Sequence, residues 1–289
     1  MKQYLLNLLV CPVCKVDFEK SSTETLVCTN YGLSFSLHQG LPIFSPVPLT
    51  IDPSDKVERP SDSGTHWRQA NWKFIGQQIR GLPPGTLVLG VGAGRGDFNQ
   101  IFKSVQNIVL DIYPYPEIDL ACDLTQSVPF LEGIFDRVVL LSVWEYMYDP
   151  RHAFSSIFRI LKPGGMAIIA ILFLLKIHQA PFDFTRFTHF ALQKMGIDAG
   201  IEIEKMEGFY DPAGLLEEAT RYYRLWEIPK LHRFQRIIAR FLLSIIAFHT
   251  FFLEGLSGKG RVKDPNQYDF PVPSDYQLVF HNPERGSSR

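Results

Sequence analysis

Five short, mostly apolar runs punctuate the middle of the chain: Leu87–Val91, Ile108–Leu110, Ile118–Ala121, Phe135–Leu141 and Met166–Leu172. Runs of this length predict buried strands. Around them the period changes. Trp67, Ala70, Phe74 and Ile75 recur at helical spacing before the breaker cluster Gly81-Leu82-Pro83-Pro84-Gly85. Ala153, Phe154, Ile157, Ile160 and Leu161 do the same between Asp149-Pro150 and Lys162-Pro163-Gly164-Gly165, and Phe190, Ala191, Leu192 and Met195 do so ahead of Gly196. Asp97, Phe98 and Ile101 begin another helical spacing directly after a glycine cluster. Alternation marks Ile201, Ile203 and Met206 and, within 274–281, Tyr276, Leu278 and Phe280. Strands interleaved with helices predict an α/β fold.

The length of 289 residues suits one large α/β domain with a small appendage, or two modest domains. With 46% hydrophobic residues and a formal net charge of −1, the balance is that of an ordinary globular protein, and no basic excess draws the chain onto nucleic acid. The apolar patch in MKQYLLNLLVCPVC is shorter than a signal-peptide core and runs into a cysteine pair, so it is not read as an export signal. Four cysteines in this length make no disulfide framework, which favours a reducing, cytoplasmic setting.

The stretch TLVLGVGAGRGDF, 86–98, joins a buried strand to a tight turn through Gly90, Gly92, Gly94 and Gly96. Glycines supply positive φ and let a ligand approach the backbone, and free N–H groups at a helix start favour electronegative groups. The dinucleotide pattern G-x-G-x-x-G fails, because its last position falls on Arg95 or Asp97, and no Gly-Lys-Ser/Thr follows to make a phosphate loop. Together with Asp111, which closes the next apolar run, the alternating glycines resemble the S-adenosylmethionine (SAM) loop of class I methyltransferases. The resemblance implies a doubly wound, mostly parallel, seven-stranded Rossmann-like sheet and SAM as cofactor. It places Gly90, Gly92 and Gly94 in the loop, Asp111 at the ribose hydroxyls, Asp123 and Leu124 at the adenine, and Ser142 at the carboxyl end of the fourth strand. Gly90 stands where that family carries an acid, and Glu145-Tyr146 where many of its small-molecule members carry Glu-His, which removes a ready general base there.

The segment HQAPFDFTRFT, 178–188, resembles the Pro-x-Asp-Tyr-x-Arg-Phe-Thr element of bacterial methyltransferases found with glycan and lipid biosynthesis genes. Asp183 and Arg186 are expected to pair and fix this loop. His178 is the candidate catalytic base, since imidazole titrates near neutrality. Cys122, embedded in apolar residues, reads as a core residue.

Cys11-Pro-Val-Cys14 and Cys28-Thr-Asn-Tyr31 have the two-knuckle spacing of a zinc ribbon, with Tyr31 in place of the fourth thiolate. The first forty-five residues resemble the small zinc-ribbon family that serves as an activating subunit of some methyltransferases and as an N-terminal extension of others. With the fourth ligand missing, the ribbon is expected to keep its fold without metal, and no residue is assigned to a metal. The expected organisation is a ribbon module over 1–45, a Pro/Ser/Asp-rich linker over 46–63, a SAM-binding core over 64–210, and a helical insertion with a closing strand over 211–289.

Within that last part, Arg233, Arg236 and Arg240 recur on one helical face while 237–253 is strongly apolar. Such a helix offers a peripheral membrane contact through 229–256, placing the enzyme at the inner membrane face; the alternatives are a helix covering the sheet and a dimer contact. The expected function is methyl transfer to a small-molecule, glycan or lipid-linked acceptor, with nucleic acid disfavoured as a partner and the oligomeric state open. The rival readings are an rRNA or tRNA base methyltransferase and a non-catalytic SAM-fold partner protein.

Overall fold

The computed structural model describes residues 4–20, 24–45, 66–126, 128–174, 177, 181–209, 219–220, 223–256, 261–262 and 275–283. The segment read as a linker lies outside these residues. Strands β1 (Phe18–Lys20), β2 (Thr25–Cys28), β3 (Ser34–His38) and β4 (Leu41–Phe44) form the ribbon. Then follow α1 (His66–Ile79), β5 (Leu87–Val91), β6 (Gln106–Asp111), β7 (Leu120–Cys122), β8 (Phe135–Leu141), α2 (Pro150–Ile160), β9 (Leu161–Leu172), α3 (His189–Asp198) and β10 (Glu202–Phe209). The described part ends with α4 (Arg233–Leu256), β11 (Arg261–Val262) and β12 (Asp275–His281).

The sheet runs in the order β1-β2-β3-β4-β7-β6-β5-β8-β9-β12-β10-β11. Strands β7, β6, β5, β8 and β9 are parallel, and β12 enters antiparallel between β9 and β10. The expected seven strands are all there; the sheet is larger because the ribbon extends one edge and β11 the other. Alternation along β5 sorts the core into two layers. Leu89 and Val91 join Leu110, Leu140 and Ile169 beneath Phe154 and Ile157 of α2 and Leu192 of α3. Val88 joins Val109, Val139 and Ile168 beneath Phe74, Ile75 and Ile79 of α1. A sheet covered on both faces explains why its strands read as unbroken apolar runs.

Helix starts follow their capping chemistry. Asp149 accepts from the His152 N–H at 3.1 Å with Pro150 in the first turn, and Thr188 accepts from the Ala191 N–H at 3.3 Å. The helix expected after the glycine turn does not form: three-residue turns and a 3-10 segment, Asn99–Phe102, connect it to β6. Only nine residues separate Gly96 from Gln106, Gly96 itself sits at φ +77°, and Phe102 folds back onto β5.

The ribbon is built onto the sheet. β4 pairs in parallel with β7, Ile43 opposite Ala121 and Phe44 opposite Cys122. The Val10 N–H donates to the Pro129 carbonyl at 2.9 Å, Leu131 N–H to the Leu8 carbonyl at 3.1 Å, and Tyr4 Oη to the Asn107 carbonyl at 2.7 Å. Leu5, Leu9, Leu26 and Leu37 share one core with Leu124, Val128 and Phe130. No helix among the described residues is long and apolar enough to cross a membrane.

Candidate active site

The glycine turn opens at the carboxyl end of β5, where parallel sheets hold their ligands. Gly92 N–H and Ala93 N–H both donate to the Leu110 carbonyl, at 2.9 and 3.1 Å, and Gly96 N–H closes the turn onto Ala93 at 2.8 Å. Gly92, Gly94 and Gly96 all have positive φ. They differ in surroundings. A Cβ on Gly92 would overlap Val143 Cγ2, whereas one on Gly94 would meet nothing within 4 Å. Gly90 lies inside β5, and a side chain there would run into the Phe102 ring at 3.0 Å, so the aromatic ring occupies the place of the family's acid.

Asp111 organises the turn. Its Oδ2 accepts from the Gly94 N–H at 2.8 Å and its Oδ1 from the Tyr113 N–H at 3.1 Å. Each carboxylate oxygen has a second lone pair, so the group can hold the loop and also accept from a ribose hydroxyl. Asp123 Oδ1 accepts from the Thr125 N–H at 2.9 Å and its hydroxyl at 2.7 Å, which fixes the turn that carries Leu124, itself buried. Ser142 has φ +49°, and its buried Oγ finds no hydrogen-bond partner among the described residues. An orphaned hydroxyl beside Val143, a carboxylate bonded to the loop and an open Gly94 together fit a SAM nucleoside: Asp111 would hold the ribose, Asp123 and Leu124 the adenine, and Gly92, Gly94 and Ser142 the walls. On the opposite side Arg68 of α1 pairs with Asp97 at 2.9 Å and lies 4.8 Å over the Phe98 ring, while Trp72 packs on Phe98 at 5.4 Å.

Next to this cradle lies a group that the sequence reading named only as half of the Glu145-Tyr146 pair and gave no role. Glu145, in a single turn of 3-10 helix after β8, is fully buried, and neither carboxyl oxygen has a hydrogen-bond partner among the described residues. Burial pushes its pKa up to about 8, with Arg186 pulling down and Asp183 and Asp275 pushing up. Its carbonyl receives the N–H groups of Phe184 at 2.9 Å and Thr185 at 3.2 Å, which pins the 181–188 loop over it. That loop is stiffened as expected: Arg186 forms a two-pronged pair with Asp183, Nη2 to Oδ2 at 2.8 Å, with Asp183 almost wholly buried. The lip outside is aromatic and exposed, with Tyr148 5.7 Å from Phe184 and Phe184 6.5 Å from Phe182. An acid inside the aromatic run Trp144-Glu145-Tyr146, just past a strand end, was the available signal. His178 lies outside the described residues.

In the ribbon, Cys11, Cys14 and Cys28 bring their sulfurs within 4.8 Å of one another. The knuckles close through Lys15 N–H to the Cys11 carbonyl and Gly32 N–H to the Cys28 carbonyl, both at 2.9 Å. Backbone N–H donation at Tyr31 lowers the Cys28 thiol to about 7. Tyr31 is 65% exposed, and no fourth Cys, His, Asp or Glu joins the three among the described residues. The three thiolates are placed to hold a metal ion, and the fourth donor of a closed structural zinc site is not among the described residues. Cys122 is fully buried and its thiol is pushed well up, as a core residue's would be.

Comparison with known proteins agrees with this geometry. Residues 89–169 match the family described as a methyltransferase domain. The tRNA (carboxymethyluridine(34)-5-O)-methyltransferase alkbh8 of Xenopus tropicalis is 30% identical over 115 residues, 36% of this chain and 18% of its own length. The demethylmenaquinone methyltransferase of Renibacterium salmoninarum is 24% identical over 130 residues, 41% of this chain and 55% of its own length. The chain thus spans about half or less of these two relatives. A UPF0434 protein of Hahella chejuensis is 41% identical over 44 residues, 15% of this chain but 73% of its own length, and over that stretch the chain belongs to the same family. The glycine turn, the paired acids Asp111 and Asp123, the sheet order with its one antiparallel insertion, and the matched family converge on one assignment: residues 89–169 are a methyltransferase domain, set in a sheet of the class I SAM-dependent kind.

Proposed function

We propose that the protein transfers a methyl group from SAM to a hydroxyl of a small-molecule, glycan or lipid-linked acceptor, with Glu145 as the general base. The carrying observation is the position of Glu145: a buried acid without hydrogen-bond partners among the described residues, lying at the carboxyl edge under a lip of exposed aromatic rings. SAM when bound supplies an electrophilic methyl on a sulfonium, and the chain's part is placement and proton removal. A carboxyl held near pH 8 can take a hydroxyl proton at neutral pH while still ionising often enough to act, the matching that base catalysis requires. The exposed rings of Tyr148, Phe182 and Phe184 suit the apolar face of a sugar or a ring system. A tRNA nucleotide is the second reading, supported by the alkbh8 relative.

Calorimetric titration with SAM comes first; absence of binding would leave only the partner-protein reading. A screen for S-adenosylhomocysteine release over glycans, lipid-linked sugars, quinols and tRNA then separates the acceptor classes. With the acceptor found, E145Q is expected to lower kcat by about 10² or more while leaving SAM affinity intact. The wild-type rate should rise with pH to a plateau above about 8, and that rise should vanish in the variant. An E145Q enzyme as fast as wild type would exclude the assigned base.

A further inference from the structure

Helix α4 is built unlike the other three. They turn apolar side chains onto the sheet, whereas α4 leaves its largest ones in solvent, with Phe234 and Phe248 each 73% exposed and Ile237, Phe241 and Ile245 exposed as well. At about 100° per residue these five share one side of the helix, while Arg233, Arg236, Arg240 and Ser244 share the adjoining face. The three arginines are themselves exposed. Arg236 donates to the carbonyls of Leu231 and Pro229, both at 2.7 Å, and so fixes the angle at which the helix leaves the preceding turn. Across 221–263 nine Lys and Arg face only Glu227 and Glu254, and Glu227 already receives Lys230 at 3.0 Å.

We infer that α4 lies flat on an anionic bilayer, its apolar side in the acyl boundary and its arginines among the headgroup phosphates. Charge decides the occupant. A second copy of this chain, stacked through this face, brings no acidic row to answer the arginines, while a negatively charged surface complements them. The helix has 24 residues and is about 36 Å long, so it offers a long strip of contact, and it is too polar to span. Its place in the chain gives the contact a purpose. β10 ends at Phe209 and β12 begins at Asp275, which are register partners at the carboxyl edge of the sheet, so the insertion leaves and returns on the edge that carries the glycine turn, with Asp275 near enough to Glu145 to act on its charge. The inference concerns binding alone and stands whichever acceptor is methylated.

The full chain is sedimented with vesicles of phosphatidylcholine alone and of phosphatidylcholine with phosphatidylglycerol. Binding at least tenfold stronger to the anionic vesicles, weakening with salt, is expected. The double variants R233E/R240E and F234S/F241S should each lose it tenfold or more, with SAM affinity retained as the control for folding. Equal binding to both vesicle types, or none to either, overturns the inference. So does a solution dimer abolished by F234S/F241S in a chain that ignores vesicles, or arginine variants that lose tRNA retention while keeping vesicle binding.

Discussion

Gly92 and Gly94 share a turn and a left-handed backbone, yet the space in front of them differs. G94A should cost about 1–2 kcal/mol, the strain of a Cβ at positive φ. G92A adds the overlap with Val143 and should cost a further 1–3 kcal/mol or so, losing SAM binding as Val143 is pushed away from the turn. Urea denaturation with a SAM titration measures both, and equal costs would refute the crowding argument. Glu145 makes a second prediction at this scale. Its carboxyl stays protonated in the fold up to about pH 8 but ionises near 4.5 in the unfolded chain, so the unfolded state binds fewer protons across that window. Stability should therefore fall as pH rises from about 5 to 8, by up to about 1.4 kcal/mol per pH unit from this group, and E145Q should flatten the fall. A wild-type curve parallel to that of E145Q would show the acid to be ionised in the fold. The pairing of Asp183 with Arg186 was legible from type and spacing, because both partners lie on one loop three residues apart. Glu145 was not, because its importance comes from burial by a loop some forty residues away and from a sheet end that only the fold assembles.

Among the elements, strand β4 carries the largest consequence. It caps β7, a three-residue strand that would otherwise be an open edge, and the ribbon's leucines close the core over Val128 and Phe130. A chain beginning at residue 66 should consequently express as aggregate, or melt at least 10 °C below the full protein. A soluble, SAM-binding truncation with an unchanged Tm would show that the ribbon adds little to the core. The existence of a ribbon was readable in its knuckle spacing, while its choice of partner strand was not, since a parallel pairing of two residues leaves no mark in the local pattern. The missing helix after the glycine turn has the opposite lesson. Phe98 and Ile101 do have helical spacing, but too few residues separate the turn from β6 for a helix to complete its ladder.

At the scale of the whole molecule, the apolar runs and helical stripes were enough to give an α/β sheet covered on both faces, because both signals are local and repeated. The extent of the sheet depends on contacts between distant segments, and no period announces them. One such contact is the meeting of Phe209 with Asp275. Two chain ends held as neighbours on a ladder behave as a socket: the sheet closes whatever is plugged between them, and the cost of a longer insert grows only with the logarithm of its length. A surface contact and a chemical site built this way would be free to diverge separately, since the plugged segment can be exchanged while the strands that grip it, and the glycine turn on the same edge, stay as they are.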